Sequence, residues 1–563
     1  MDMETPTLDQ DEYSSDEEDT CLADCYDGNG AIIADKLIGL LQREDDLDDA
    51  EESMLHALYH DAGEEDQYTD VATAGHSVQS QSNTKRQCTP RKCKSIKPYY
   101  FDAQGRKVTL QPKQTVWYYM YVASPTIDCT KWHKKFRRRF RMPYSEFLSL
   151  FDRLETHTDY FGRWQSKDAV GKESSPLELL LLGALRYLGR GLTFDDLEEY
   201  TAINEETHRQ FLHKFIKFGA EVLYPLYVVM PRTAEELKPH RKEYNTGGLH
   251  GCGFSTDATN VVMWRCSHNL KQANMGFKQS HPARTYNLTC NHRRQILYTT
   301  KGHPSRWNDK TLVLFDEFLT GLHEGTILSD VTYRLYSWEG EAGNSQVEYA
   351  NYSGAWGLVD NGYHKWACTQ APTKTSLLRS EERLSEWIES FRKDAECCFG
   401  ILKGRFRVLK TGIRLEGPEA ADRIWLTCCA LHNLLLKADG LDEWIGSAGD
   451  NQLEDMRRYA PFAVQRLSDE ALRNFGSRNH EQMARQEESL RRGINEQRDE
   501  AMAEDERNNP PMDDCHLTRQ KYAMDGSIIL NSLTYDDFRN RLVEHFDILW
   551  RRNRVRWPQR KNT

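Results

Sequence analysis

Near residue 237 the hydrophobic period of the chain changes from helical to extended. Upstream, over 143–230, apolar residues recur every three or four positions in PYSEFLSLFDRL, SPLELLLLGALRYLGRG and ETHRQFLHKFIKFGAEVL, which predicts amphipathic helices. Downstream, GGLHGCGFSTDATNVVMW, RTYNLTCNHRRQILYTTKGH and GAWGLVDNGY are rich in branched and aromatic residues and are separated by Gly, Asn and His turns, as strands are. Helical patterns sit between and after these runs, at KTLVLFDEFLTGL and SEERLSEWIESFRKDAECCFGILKGRF. The order of three strands, helix, strand and helix predicts an α/β layer fold and excludes a sandwich.

The helical half has well-signalled starts. Ser175 with Pro176 can open one helix, Thr193 precedes FDDLEEY, and Asn204 precedes EETHRQFL. A short middle helix flanked by Gly189, Gly191 and the 201–204 turn is the layout of a helix-turn-helix, whose last helix would present Thr207, Arg209, Gln210 and Lys214 to DNA. A plain helical bundle gives the same pattern.

Charge is distributed unevenly. The formal net charge is -12, yet residues 1–80 hold 24 Asp/Glu against 2 Lys/Arg, so residues 81–563 carry 72 Lys/Arg against 62 Asp/Glu, a net of +10. The basic body keeps a polyanionic partner in view. Two dense clusters, KRQCTPRKCKSIK and KWHKKFRRRFR, fit a nuclear-import signal and a phosphate-contacting surface; a solvated linker and helix face is the bland alternative. In the second cluster Trp132, Phe136 and Phe140 lie at helical spacing and would anchor it to a core. The opening stretch, MDMETPTLDQDEYSSDEEDT, is acidic where a signal peptide is basic and then apolar, and no apolar run reaches the roughly 18 residues of a membrane span. Fourteen cysteines without paired CxxC spacing argue for a reduced protein, not a disulfide scaffold or a zinc site.

Three carboxylates carry the candidate chemistry. Asp257 closes the first β run and Asp360 the fourth, where functional side chains gather in α/β sheets. Glu396 lies on the long helix whose buried stripe is Leu384, Ile388, Phe391, Ala395, Phe399 and Leu402. Two strand-end aspartates and a helix glutamate make a hard-oxygen set suited to Mg²⁺ or Mn²⁺, and two such ions promote in-line phosphoryl transfer. Taken singly, each has an ordinary reading as a turn aspartate or a solvated helix residue.

The surrounding text resembles the PIF/Harbinger transposase superfamily and the nuclease-like proteins domesticated from it. The resemblance rests on Asp360-Asn361-Gly362-Tyr363, on Arg392 with Glu396, Phe399-Gly400, Leu402-Lys403 and Arg405-Phe406, and on Leu431-His432-Asn433; it spans about 130–437. The 35 residues between Asp360 and Glu396 match the spacing of that superfamily. It implies an RNase H-like DDE nuclease core, a mixed sheet flanked by helices, with Asp257, Asp360 and Glu396 as catalytic metal ligands. Gly302-His303-Pro304-Ser305-Arg306-Trp307-Asn308-Asp309 is similar to a further family pattern that makes Asp309 a fourth ligand, although capping the next helix is an equally open role. Asp257-Ala258-Thr259-Asn260 departs from the D-G-T-H common in the family, but every carboxylate is kept.

The resemblance further implies a DNA transposase that nicks transposon ends and joins the freed 3′-OH to target DNA, in the nucleus, with double-stranded DNA as substrate. Lys403, Arg405 and Arg407 would contact phosphates beside Arg209 and Lys214. A Myb-like DNA-binding partner and a homo-oligomer are implied partners. A domesticated DNA-binding or nuclease-like protein without transposition activity is the alternative. The expected organisation is a disordered acidic tail (1–83), a basic linker (84–129), a helix-turn-helix-like domain (130–235), the nuclease (236–437, with a polar insertion at about 325–355) and a charged helical extension (438–563).

Overall fold

The computed structural model describes residues 99–560, apart from 102–103, 168–172, 277–279, 340–345, 374–375, 377, 437, 440–443 and 448–520. The acidic tail, the first basic cluster with Cys88 and Cys93, and most of the C-terminal extension lie outside the described residues.

The chain divides into two compact units. The first comprises residues up to 130, 163–183 and 193–210; the second comprises 131–162, 184–192 and 211 onward. In the first, the strands β1 (Tyr99–Phe101) and β2 (Lys107–Thr109) form an antiparallel hairpin. Trp117 stacks on Tyr200 at 5.2 Å, and Leu179 to Leu182, Leu197 and Ile203 are buried.

The second unit opens with helices α1 (Thr130–Phe140) and α2 (Tyr144–Thr156). Trp132, Phe136 and Phe140, set one turn apart on α1, are buried against Tyr144 and Phe147, so the basic residues between them are held on a fixed scaffold. The division between units falls inside α3 (Leu177–Arg190) and α5 (Glu205–Phe218), while α4 (Phe194–Thr201) belongs to the first unit. Thr193 caps α4 through a reciprocal capping box with Asp196, as the sequence signal indicates.

From α6 (Ala234–Thr246) onward the second unit is a mixed α/β layer. Its six-stranded sheet runs β10-β9-β3-β4-β5, with β6 (His303–Pro304) pairing β4. β3 (Cys252–Val262) and β4 (Ala283–Cys290) are antiparallel, as are β4 and β5 (Ile296–Thr299), whereas β9 (Trp356–Leu358) runs parallel to β3 and to β10 (Thr369–Gln370). The expected KTLVLFDEFLTGL helix is two helices, α7 (Asp309–Val313) and α8 (Glu317–Glu324), because Asp316 accepts hydrogen bonds from the N–H groups of Phe318 and Leu319 and starts a new cap.

The long helix α9 (Arg379–Arg405) lies along the sheet and buries Leu384, Trp387, Ile388, Phe391, Ala395, Cys398 and Leu402 at three- and four-residue spacing. Glu381 and Glu382 in its first turn and Lys403 and Arg405 in its last complement the helix dipole. Helix α10 (Pro418–Leu435) follows, buried through Ile424, Trp425, Cys428 and Leu431.

Residues 325–355 are more than a polar insertion. β7 (Thr332–Glu339) and β8 (Gln346–Ser353) form a hairpin that β12 (Ile528–Ile529) extends into a second sheet, and α11 (Tyr535–Arg551) packs on it. The Tyr336 N–H donates to His545 Nδ1 and that of Trp338 to Glu544 Oε1. Between them, β11 (Trp444–Ser447) pairs with β13 (Pro558–Arg560). Phe538, Leu542, Phe546, Trp550, Val555 and Trp557 join the same apolar core as Phe254, Trp356 and Phe391. Full burial of one such side chain contributes about 1.5–3 kcal/mol, so the extension is a substantial part of this unit's stability.

Candidate active site on the central strand and long helix

Asp257 lies in mid-strand, not at a strand end: β3 continues five residues beyond it, and Asp257 is in register with Leu288 of β4. Asp360 stands two residues past the end of neighbouring β9. The parallel pairing of β3 and β9 brings the two strands side by side, and α9 adds Glu396 across the same region. A residue absent from the initial carboxylate set links two of them, Asp257 and Glu396. The Arg392 guanidinium, only 10 % exposed, pairs with Asp257 Oδ2 at 3.2 Å, Glu396 Oε1 at 2.8 Å and Glu389 Oε1 at 2.9 Å.

Asp257 feels the charges of the other two acids and of Arg392. Burial pushes the Asp257 carboxyl up to about 6; Ala258 N–H and Arg392 oppose the rise, while the charges of Asp360 and Glu396 add to it. Burial on its own would lower Arg392, but Glu389, then Glu396 and Asp257, hold it above its ordinary value. Tyr363 is raised first by burial and then by the charges of Asp257, Asp309, Asp316 and Asp360. Its hydroxyl donates to Asn287 Oδ1 at 3.1 Å, and Asn287 Nδ2 donates to Asp316 Oδ2 at 3.2 Å.

Asp309 is the first residue of α7, and the cap is its neighbour: Asn308 Oδ1 accepts from the Thr311 N–H at 2.8 Å. The Asp309 carboxylate rests against the loop after Asp360, where a methyl group at Gly362 would stand 2.5 Å from Asp309 Oδ2. Glycine at 362 is what allows that approach.

The basic residues fall into different settings. Lys403 is largely buried and donates to Thr259 Oγ1 at 2.8 Å and Asn260 O at 3.1 Å, on the strand that carries Asp257; burial lowers its pKa. Arg405 pairs with Asp439, which also holds Arg137 at 2.5 Å. Arg407 lies beyond the end of α9 and is half-buried. In the first unit Arg209 pairs with Glu205 and Glu206 and lies over the Phe194 ring, so part of its charge is already balanced. Lys214 is exposed. His432 Nε2 meets Arg294 O at 2.9 Å and Asn433 bridges Tyr227 O and Ile296 O, both structural placements.

Among the described residues no group of three or more His, Cys, Asp or Glu side chains is placed to hold a metal ion. The donor chemistry nevertheless suits a hard divalent cation: Asp257, Asp360 and Glu396 supply oxygen only, Asp309 lies on the adjoining loop, and one guanidinium leaves their charge unbalanced. Of the elements that hold the site, Arg392 was visible as the i–4 partner of Glu396. Asn287 and Asp316 carried no sequence signal, because they act through a cross-sheet contact.

Residues 256–433 match the family described as DDE superfamily endonuclease. The matched span begins one residue before Asp257, ends at Asn433 and contains all four carboxylates, which makes it a DDE transposase-like segment. No curated protein and no solved structure matches the chain. Among the described residues no helix is long and apolar enough to cross a membrane.

Proposed function

We propose that the chain is a DDE transposase or endonuclease of the PIF/Harbinger type that cuts and joins DNA by metal-assisted phosphoryl transfer in the nucleus. The observation that carries this reading is the pairing of Asp257 and Glu396 with one guanidinium, Arg392, with the Asp360 charge acting on Asp257, inside the endonuclease-matched segment. An RNase H-like core is supported by the strand order, in which an antiparallel three-strand meander is extended by two parallel strands.

Asp257, Asp360 and Glu396 would hold Mg²⁺ or Mn²⁺, with Asp309 as a further ligand from the adjoining loop. The bound ions supply activation of the attacking water or 3′-hydroxyl and stabilisation of the leaving oxygen. The chain's own residues prepare the site. Arg392 keeps Asp257 and Glu396 turned toward each other, and its charge favours the ionised form of Asp257 against the desolvation that opposes it. Lys403 fixes the helix to β3 at Thr259 and Asn260, two and three residues from Asp257. Lys214 and Arg209 remain candidates for phosphate contact, as does Arg407. A Myb-like partner and self-association follow from the same reading.

The test is a nicking and strand-transfer assay on supercoiled plasmid with Mg²⁺ or Mn²⁺, comparing wild type with Asp360→Asn and Glu396→Gln. Metal-dependent nicking lost in both variants is the expected result. Wild-type protein that binds DNA and never cuts it points to a domesticated DNA-binding protein.

A further inference from the structure

Beside the carboxylates the surface carries three aromatic rings that no catalytic argument uses. His303 stacks on Trp307 at 5.3 Å and 20°; Phe315 closes on Trp307 at 4.9 Å and on His303 at 5.6 Å. Phe315 is 53 % exposed and its neighbour Leu314 57 %, although the helices on either side bury their own apolar residues fully. His303 and Trp307 are half-buried, so the cluster presents the exposed Phe315 ring and Leu314 over a partly covered aromatic base, an apolar patch that marks a binding surface.

The backbone beneath them is rigid. His303 sits on β6, in register with Thr285 of β4. Asp422 pairs with Arg284 at 2.8 Å and accepts from Tyr286 Oη at 2.9 Å and Gly302 N at 3.2 Å, locking the start of the loop. The Trp307 N–H donates to Pro304 O, Asn308 caps α7, and Phe315 falls at the break that Asp316 imposes before α8.

The charges around the rings select the ligand. Lys301, Arg306 and Lys310 are exposed and interleave with the rings along the chain, and none has an ion-pair partner among the described residues. Glu317 is the exposed acid nearby in sequence. Rings alternating with free cations suit a strand with a π-face on every base and a charge on every phosphate; an apolar protein segment would leave the cations unused. Position sets which part of the strand is bound. Trp307 is two residues from Asp309, whose carboxylate touches the loop after Asp360. At about 3.8 Å per residue, the Trp307 backbone lies within about 8 Å of that of Asp309.

We propose that His303, Trp307 and Phe315 form a stacking platform for an unpaired base of single-stranded DNA adjoining the cleavage site. The choice of DNA as ligand rests on the nuclease reading; the geometry of the platform does not.

The test uses full-length protein in EDTA, so that binding is read without cutting, with a fluorescein-labelled oligo(dT) of about 12 nucleotides and a duplex of about the same length. Phe315→Ala and Trp307→Ala should each weaken oligonucleotide binding about tenfold while changing duplex binding less than about twofold, in the range of one lost base–aromatic stack. Phe315 is exposed, so its replacement spares the fold, and Phe315→Leu keeps apolar area while removing the ring face. Phe315→Tyr should bind as wild type does. Oligonucleotide affinity unchanged in Phe315→Ala and Phe315→Leu overturns the platform. Ring-dependent binding without metal-dependent nicking keeps the platform and overturns the nuclease. Nicking without ring dependence does the reverse, and wild-type protein that binds neither DNA overturns both.

Discussion

Helix α9 carries two carboxylates, Asp394 and Glu396, only two residues apart and in opposite circumstances. Asp394 is 5 % exposed, takes a 2.5 Å hydrogen bond from His292 and faces Arg294 at 3.5 Å, with Phe391 and Trp557 closing over the imidazole. Glu396 is 49 % exposed and shares one guanidinium with Asp257 and Glu389. Along one helix, one acid is saturated and sealed, and the other, the one the proposed function uses, is half-exposed in a surplus of negative charge. Burial alone does not distinguish function from structure; unbalanced charge does.

That contrast can be broken or sharpened by four measurements. Asp257→Asn and Glu396→Gln should each cost at least about a thousandfold in nicking rate, several kcal/mol of transition-state stabilisation. Circular dichroism should show an unchanged or higher Tm for Asp257→Asn, since burial disfavours its charge. Asp394→Asn should do the opposite. Breaking a buried pair costs about 3–5 kcal/mol, read by denaturant titration, and full nicking activity should survive in whatever remains folded; an unchanged midpoint would dissolve the distinction.

Asp316, wholly buried beneath Asn287, provides a pH test. Burial raises it to about 6, so its favourable contribution is complete below the usual carboxylate value near 4 and is lost as pH rises through about 6. Wild-type stability should therefore fall across that window by at most about 3 kcal/mol more than that of Asp316→Asn, for a shift of about two units. The smallest effect belongs to Gly362→Ala. Its Cβ would stand 2.5 Å from the Asp309 carboxylate, which must move by about half an ångström or more, so nicking should drop a few-fold, about 1 kcal/mol, at unchanged Tm. No change at all would place Asp309 outside the working site.

Much of this was readable in advance because it is local. Branched and aromatic residues between Gly, Asn and His turns marked β3, β4, β5 and β9, the three- and four-residue stripe from Leu384 to Leu402 marked α9, and Asp360 follows a strand as its sequence indicates. Asp257 was misplaced by position, since the run TDATNVV reads equally as strand or as turn until Asp257 is seen in register with Leu288. Asp309 looked like a helix cap because Asn308, which supplies it, is just as good a capping residue. Lys403 and Arg405 were visible as charges and not as partners, because Thr259, Asn260 and Asp439 lie far from them in the chain. The extension around Trp550 and Trp557 gave no signal for the same reason: a helix pattern states which face is apolar and not what it covers.

The packing of Trp557 on Phe391, at 4.6 Å, has a consequence for how the protein is made. Chains emerge from the ribosome N-terminus first, and domains generally fold as they appear. Here Phe391, already packed against Tyr244 and His292, receives its last cover only when residue 557 has been synthesised, more than 160 residues later. A chain cut short anywhere in that interval lacks part of this core.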